Sequence, residues 1–241
     1  MSENCIPVTE ETKIKNVFID LDDTLYDFSA SSRESFKETY ELLGYERFFD
    51  SFDHFMSIYT PRNFQLWKQY GRGEITKEEL NAIRYSYPLE VVGVYDKELA
   101  ARFCCEALGR IPTKNRLIPG AIELLEYLSP KYNLYILSNG FQELQEQKMR
   151  TSNIRHYFKE LILSDHIGVN KPRPELFEYA LQRTGATLDD SIMIGDMFET
   201  DIIGAYNVGL RQIYFNAKGV KPENVVPTYE VDSLLEIKNI L

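Results

Sequence analysis

Residues 15–25, KNVFIDLDDTL, decide the fold because a short apolar run leads directly into three aspartates. Four more short runs are largely apolar, at residues 132–138 (YNLYILS), 161–164 (LILS), 191–196 (SIMIGD) and 211–215 (RQIYF). Such runs are typical of strands that are covered on both faces. Helical patterns alternate with them, at residues 121–128, 142–149, 174–183 and 201–206. The alternation predicts an α/β fold whose core is a doubly wound, Rossmann-like parallel sheet built from right-handed βαβ units.

The stretch between the first predicted strand and Pro119 shows no convincing buried strand. Its patterns are helical instead, at residues 29–43, 52–59, 63–70, 76–85 and 96–108. We interpret this stretch as an all-helical second domain, residues 27–116, inserted into an α/β core of residues 1–26 and 117–241. The borders would act as hinges near residues 26–28 and 116–120. Extra helices packed directly on the sheet are the alternative, and the length of the insert disfavours it.

The composition indicates a soluble globular protein, because 44% of the 241 residues are apolar and 27% are charged. The formal net charge of −10 disfavours binding to a nucleic acid polymer, which an acidic surface repels. A small anionic substrate is compatible with this charge if positive charge is supplied locally. A metal ion and a lysine would supply it.

The three cysteines, Cys5, Cys104 and Cys105, argue against a disulfide framework because their number is odd and two are adjacent. They favour a reducing, cytoplasmic location. Residues 1–13 have neither a basic start nor a long apolar run, so we predict no signal peptide. No apolar stretch approaches the roughly 20 residues of a membrane-spanning helix, so no membrane association is predicted.

Aspartates follow two of the predicted strands. Asp20 ends the first strand with Asp22 two residues later, and Asp196 ends another with Asp201 five residues later. Ligands of parallel sheets bind beyond the carboxyl ends of the strands, so these side chains are expected at one edge. Clustered carboxylates repel one another unless a cation binds among them, and magnesium prefers such oxygen ligands. A solvated acidic turn, or acids favoured at a helix N-terminus, is the alternative.

Two further segments offer groups for a phosphate. Ser138, Asn139 and Gly140 follow a strand, where a hydroxyl and backbone N–H groups can bind phosphate oxygens. Lys171 stands just before Pro172, and its ammonium would offset carboxylate repulsion and meet phosphate charge. An ordinary turn and a surface lysine are the alternative interpretations.

In this order and at strand ends, these segments resemble the four motifs of the haloacid dehalogenase superfamily, from about residue 15 to residue 229. The signature takes the form Asp-x-Asp-x-Thr, then Ser or Thr after a strand, then Lys, then Gly-Asp with a further Asp. This sequence supplies Asp20, Asp22, Thr24, Ser138, Lys171, Asp196 and Asp201 in those places. Chance agreement with all four motifs is improbable.

The resemblance implies a phosphatase in which Asp20 is the nucleophile and forms an aspartyl-phosphate. In that step Asp22 protonates the leaving oxygen, and it later deprotonates the attacking water. Magnesium is held by Asp20, the backbone carbonyl of Asp22, Asp196 and, from behind, Asp201. The phosphoryl oxygens are held by Ser138, Asn139 and Lys171.

Asp22 separates two branches of the superfamily. The dehalogenases lack a carboxylate there, because they attack carbon and the halide leaves without a proton. The alkoxide leaving group of a phosphate ester benefits from an acid. The presence of Asp22 therefore favours phosphate chemistry and leaves dehalogenation a remote alternative.

The helical insert falls where the family carries its type 1 cap, which closes over the site and selects the substrate. In pattern the chain is similar to the pyrimidine nucleotide 5′-phosphatases, although these usually have Thr where Ser138 stands and often Asp where Arg173 stands. The resemblance includes Leu66 and Gly73 in the cap. A pyrimidine needs a flat apolar wall and a few polar edges. Candidates for those contacts are Trp67, Tyr70, Arg72 and Phe141.

Structural roles compete with each of these candidates, since Trp67 and Tyr70 share one helical face and Arg72 fits a solvated loop. Other functions also remain open: a sugar-phosphate or phosphoglycolate phosphatase, a mutase like β-phosphoglucomutase, or a binding protein without catalysis. The complete motif set disfavours the last. The predicted partner is a small phosphorylated metabolite, and the sequence makes no prediction of oligomeric state.

Overall fold

The computed structural model describes residues 13–221 and 224–241. Cys5 and the N-terminal segment for which we predict no signal peptide lie outside the described residues, apart from Lys13. Six strands form one parallel sheet in the order β3-β2-β1-β4-β5-β6. Their bounds are β1 Asn16–Ile19, β2 Asn133–Ser138, β3 Glu160–Leu163, β4 Ser191–Gly195, β5 Arg211–Phe215 and β6 Tyr229–Val231.

The strand order places a topological switch at β1. The chain builds from β1 outward to β3 and then returns past β1 to add β4, β5 and β6 on the other side. Ile19, the last residue of β1, is paired with Ile136 of β2 and with Ile194 of β4. The carboxyl end of β1 is therefore flanked by those of β2 and β4, where ligands of doubly wound sheets bind.

Eight α-helices are present in the described part of the chain, four of them in the insert. The insert contains α1 Phe28–Leu42, α2 Phe52–Gly71, α3 Lys77–Val91 and α4 Lys97–Arg110. The core contains α5 Ala121–Leu128, α6 Gln142–Thr151, α7 Pro174–Thr184 and α8 Ile203–Asn207. The doubly wound sheet with an inserted all-helical cap is therefore confirmed.

Each of the four helices in the cap domain begins after a residue whose side chain accepts a backbone N–H group of the first helical turn. Thr76 and Glu79 form a reciprocal capping box before α3. Carboxylate or hydroxyl oxygens accept a backbone N–H at the starts of the other three, from Asp27, Ser51 and Asp96. Local sequence thus sets where these helices begin.

Several predicted elements differ from the structure. The helices expected at residues 52–59 and 63–70 are one helix, α2, with Pro61 inside it. Pro61 lies on the exposed face, where water can bond the carbonyl that proline leaves without a donor. The helix expected at residues 201–206 begins earlier, with a π-helical turn at Phe198–Ile202. Strand β6 was not predicted, because it has three residues at the sheet edge and two are exposed.

Aromatic side chains pack together between the cap helices, within a buried cluster that continues into the α/β core. Phe103 lies with its ring centroid 4.9 Å from that of Tyr45, 5.2 Å from Phe55 and 5.6 Å from Phe36. Phe36 and Tyr59 meet edge to face at 5.0 Å. Such contacts add to the burial of large apolar surfaces. The cap helices therefore pack on one another and not only on the sheet.

The two chain segments that join cap and core run side by side. The backbone N–H of Asp27 donates to the carbonyl of Arg116 over 3.1 Å, and that of Ile118 donates to Leu25 over 2.9 Å. These are the segments that the sequence analysis predicted as hinges. The domain borders at residues 26/27 and 116/117 remain a prediction. Among the described residues, no helix combines the length and apolar character that crossing a membrane requires.

Candidate active site

The predicted motif residues converge at the carboxyl ends of three adjacent strands. Asp20 directly follows β1, Ser138 ends β2, and Asp196 directly follows β4. Parallel pairing of these strands brings the three ends to the same edge of the sheet. The predicted residues therefore come together at the switch of the sheet, because the ends of paired parallel strands meet there.

Lys171 links two of the aspartates. Its ammonium nitrogen lies 2.6 Å from Asp20 Oδ1 and 2.6 Å from Asp201 Oδ1, and it donates to the carbonyl of Leu137 over 2.7 Å. The side chain is 2% exposed. Burial disfavours the charged ammonium, but the carboxylates of Asp20 and Asp201 outweigh it and raise the pKa of Lys171. Lys171 is therefore a fixed positive charge beside Asp20.

Asn139 positions the backbone of Lys171. Its side-chain nitrogen donates to the Lys171 carbonyl over 3.0 Å, and its oxygen accepts the Lys171 N–H over 2.7 Å. In this structure the side chain of Asn139, predicted to bind phosphate, is thus occupied by the neighbouring loop. That pairing joins the loop after β2 to the loop that carries the lysine.

Three carboxylates form a candidate cation site. Asp20, Asp196 and Asp201 each offer an oxygen within 4.8 Å of the other two. Burial, followed by the charges of Asp201 and Asp23, raises the pKa of Asp196 to about 7. Burial also raises the pKa of Asp20 well above its usual range, although Lys171 opposes the effect. The carboxylates are therefore held close together at a cost that a bound cation would relieve.

The donor set fits a magnesium ion, because all three ligands are hard carboxylate oxygens. Gly195 permits this arrangement, since a Cβ atom there would lie 2.3 Å from Asp201 Oδ2. The fourth predicted ligand, Asp22, would contribute its backbone carbonyl. Its side chain instead contacts Lys148 and Gln145. The metal role of Asp22 remains a prediction.

Thr24 fixes Asp196. Its hydroxyl oxygen lies 3.1 Å from Asp196 Oδ1 and accepts the Asp196 backbone N–H over 3.0 Å. Thr24 is fully buried. The Asp-x-Asp-x-Thr segment thus contributes a residue that orients the carboxylate of a different strand.

Asp22 is held by two residues that the sequence analysis missed, Lys148 and Gln145. Lys148 Nζ lies 2.7 Å from Asp22 Oδ1, and Gln145 Nε2 donates to Asp22 Oδ2 over 3.0 Å. The same Gln145 amide donates to Ser138 Oγ over 2.7 Å. Their spacing of three residues on the helix after Ser138 places both on one face, and this polar pair was the available signal.

The four specificity candidates separate in the structure. Trp67 stacks on Phe141 with ring centroids 5.4 Å apart, and Tyr70 meets Phe141 edge to face at 6.0 Å. The Tyr70 hydroxyl donates to Asp165 of the core over 3.3 Å. Arg72 is exposed and bonds Glu74 instead. Three of the candidates therefore form an aromatic contact between cap and core, and Arg72 lies outside it.

Comparison with known proteins agrees with this geometry. Residues 14–209 match the family model of haloacid dehalogenase-like hydrolases. The chain is 34% identical to the pyrimidine 5′-nucleotidase YjjG of Escherichia coli over 229 residues, covering 93% of this chain and 96% of that protein. It is 28% identical to the glyceraldehyde 3-phosphate phosphatase of Methanothermobacter thermautotrophicus, covering 95% of this chain and 100% of that protein.

A solved structure extends the agreement to the whole fold. The HAD-hydrolase YfnB of Bacillus subtilis, in a magnesium-bound crystal form that reveals interdomain movement, superposes with a TM-score of 0.85 at 26% identity. The superposition covers 95% of this chain and 98% of that one. The convergence of the motif residues agrees with these comparisons. The family match and the 34% identical relative show that the chain belongs to the haloacid dehalogenase-like hydrolases.

Proposed function

We propose that this chain is a magnesium-dependent phosphatase that hydrolyses small phosphate monoesters through an aspartyl-phosphate on Asp20. The observation that carries the proposal is the placement of Asp20 at the end of β1, 2.6 Å from Lys171 and within the carboxylate group of Asp196 and Asp201. A nucleophile, a fixed cation and a set of metal ligands therefore surround one point. Phosphoryl transfer depends on such positioning and charge stabilisation.

In the first step, a carboxylate oxygen of Asp20 attacks phosphorus while the bond from phosphorus to the ester oxygen breaks. Asp22 gives a proton to that leaving oxygen. Lys171 stabilises negative charge on the phosphoryl group, and the Ser138 hydroxyl offers a hydrogen bond to it. A bound magnesium ion would neutralise further charge on the phosphoryl oxygens and hold them in place.

In the second step, Asp22 takes a proton from a water molecule as that water attacks the phosphorus of the aspartyl-phosphate. The bond between phosphorus and Asp20 breaks, which releases inorganic phosphate and regenerates the carboxylate. The same side chain thus serves as acid and then as base, so the enzyme ends the cycle in its starting protonation state.

Pyrimidine nucleoside 5′-monophosphates are the proposed substrate class. The 34% identity to a pyrimidine 5′-nucleotidase supports this proposal, as does the cap pattern that includes Leu66 and Gly73. The stacked rings of Trp67 and Phe141 lie at the contact between cap and core, where a flat apolar wall for a pyrimidine would be needed. The glyceraldehyde 3-phosphate phosphatase relative supports a sugar phosphate as the second candidate.

The test is phosphate release from a panel of nucleoside monophosphates and sugar phosphates, with magnesium and with a chelator. We expect magnesium-dependent release, strongest with uridine or thymidine monophosphate, and a loss of at least about 10³-fold in Asp20→Asn. The matched control is Asp50→Asn, since Asp50 is exposed in the cap. Preference for a sugar phosphate would contradict the nucleotide assignment but would still support the proposed reaction. Unchanged phosphate release by Asp20→Asn would show that Asp20 is not the nucleophile.

A mutase and a binding protein without catalysis predict other results. A mutase would transfer phosphate between positions of a sugar and release little of it. A non-catalytic protein would release none from any ester, while still binding the metal.

A further inference from the structure

We propose that Lys148, with Gln145, is a positioning residue that holds the Asp22 carboxylate at the site of proton transfer. The inference rests on the proposed function, because it assigns Lys148 a role only if Asp22 is the acid and base. Neither side chain belongs to the four motifs, and both contact the carboxylate of Asp22.

The first observation is the environment of the Lys148 ammonium. It lies 2.7 Å from Asp22 Oδ1 and donates to Gln145 Oε1 over 2.8 Å. Aromatic rings from the hinge cover it, with centroids 4.4 Å away for Phe28 and 5.5 Å away for Tyr26. The side chain is 1% exposed. The charge is thus removed from water and directed at one catalytic carboxylate.

The second observation is that Gln145 holds the other oxygen of the same carboxylate. Its amide nitrogen donates to Asp22 Oδ2 and to Ser138 Oγ. Gly140 makes room for this amide, because a Cβ atom there would lie 2.2 Å from Gln145 Nε2. Asp22 is therefore held at two points, and Gln145 ties its orientation to the hydroxyl proposed to bind phosphate.

A purely structural role explains these contacts poorly. A buried ammonium is costly to desolvate, and an apolar side chain of similar length would fill the same space at lower cost. The carboxylate that compensates Lys148 is partly open to the crevice, with 27% of the Asp22 side chain exposed. The arrangement thus fixes a group that must still reach substrate, which is what proton transfer requires.

In the reaction, Asp22 exchanges one of its two contacts for the leaving oxygen, while the other contact keeps the carboxylate in place. The proton passes from Asp22 to the leaving oxygen in the first step and from water to Asp22 in the second. Lys148 and Gln145 keep their own protons throughout. Loss of the two-point hold would slow both transfers without removing the nucleophile.

The test uses Lys148→Met, which keeps the length of the side chain and removes the charge. Two esters are compared: uridine 5′-monophosphate, whose leaving oxygen needs a proton, and 2,4-dinitrophenyl phosphate, whose leaving group departs without one. With the nucleotide we expect kcat to fall by about 10- to 100-fold and KM to change little, since acid–base catalysis contributes about 10²–10⁴-fold. With the activated ester we expect a burst of dinitrophenolate stoichiometric with enzyme, followed by slow turnover as the aspartyl-phosphate accumulates.

Three further variants distinguish a positioning role of Lys148 from a general loss of folded enzyme. Lys148→Arg retains the charge and donors and should recover part of the lost kcat. Gln145→Met should shift both readouts in the same direction, and it decides the question if Lys148→Met does not fold. Lys114→Met removes another largely buried lysine, which pairs with Glu34 and Glu38, and it should leave both readouts unchanged.

The inference is overturned if Lys148→Met and Gln145→Met turn over the nucleotide at the wild-type rate. It is also overturned if both variants lose rate equally on the two esters with no burst, because that pattern reports a general loss of active enzyme. A wild-type protein that releases phosphate from neither ester would instead refute the proposed function.

Discussion

Replacing Asp196 with asparagine should stabilise the metal-free protein while weakening its response to magnesium. Burial, together with the charges of Asp201 and Asp23, raises the pKa of Asp196 from an ordinary value of 3.8 to about 7. A carboxyl group whose pKa is raised by folding stabilises the folded state below its unfolded pKa, and this contribution is lost as pH rises toward the folded pKa. The metal-free protein should therefore lose stability between about pH 4 and pH 7.

The size of the effect follows from that pKa. One pKa unit corresponds to about 1.4 kcal/mol, so a change from 3.8 to about 7 corresponds to at most about 4 kcal/mol at pH 8. Asparagine has no charge to desolvate, and its oxygen can still accept a hydrogen bond from Thr24. Asp196→Asn should recover part of this free energy of unfolding.

The assay is urea denaturation in the presence of a chelator at pH 5 and pH 8. The free energy of unfolding of Asp196→Asn should exceed that of wild type by more at pH 8 than at pH 5. Added magnesium should raise the wild-type stability at pH 8 and raise that of the variant much less. Asp50→Asn, at an exposed site in the cap, is the control.

Two results would refute this reasoning. One is a metal-free Asp196→Asn protein that is less stable than wild type at pH 8, which would mean that the Asp196 carboxylate is favourable without a cation. The other is an equal response of both proteins to magnesium, which would take Asp196 out of the cation site.

Four further predictions concern single residues. Gly195→Ala should unfold more easily than wild type by about 1–3 kcal/mol and lose activity, because its Cβ would meet Asp201. Gly109→Ala in α4, where a Cβ meets nothing within 4 Å, should instead gain about 0.5–1 kcal/mol in thermal unfolding. Thr76→Ala should lose about 1 kcal/mol in urea denaturation by removing the capping hydroxyl of α3, with kcat unchanged. Lys171→Met should lower kcat by at least about 100-fold, measured as phosphate release, because an electrostatic stabiliser is lost. A fully active Lys171→Met, or an unaffected Gly195→Ala, would contradict the site geometry.

The sequence predicted the sheet well because its strands are buried on both faces. All five predicted strands are present to within one residue at either end, since each contains a short apolar run that stops at a polar residue or glycine. Strand β6 follows a different rule. Tyr229 and Glu230 are exposed at the edge, so no apolar run marks them. The register that places it beside β5 is set by tertiary pairing.

The residues of the candidate site also fall into two groups, those that strand ends predict and those whose contacts depend on tertiary packing. Asp20, Ser138 and Asp196 were predicted because each stands at a strand end, where topology alone fixes the location of the side chain. Lys148 was not predicted, because its role depends on which face of α6 is turned toward Asp22. The ion pair between Arg72 and Glu74 was not predicted for a similar reason, since the position of Arg72 at the end of α2 does not determine its partner.

Charge counting connects the candidate metal site to the binding of the proposed substrate. Three largely buried carboxylates, Asp20, Asp196 and Asp201, lie together beside one buried ammonium group, that of Lys171. When the carboxylates are ionised, three negative charges and one positive charge leave a net charge of −2, which one divalent cation would neutralise. A phosphate ester adds further negative charge to the same crevice, so without the cation it would meet a net negative site. We therefore expect the metal to bind before the substrate, because only the metal-bound site can accept a phosphate without an uncompensated buried charge.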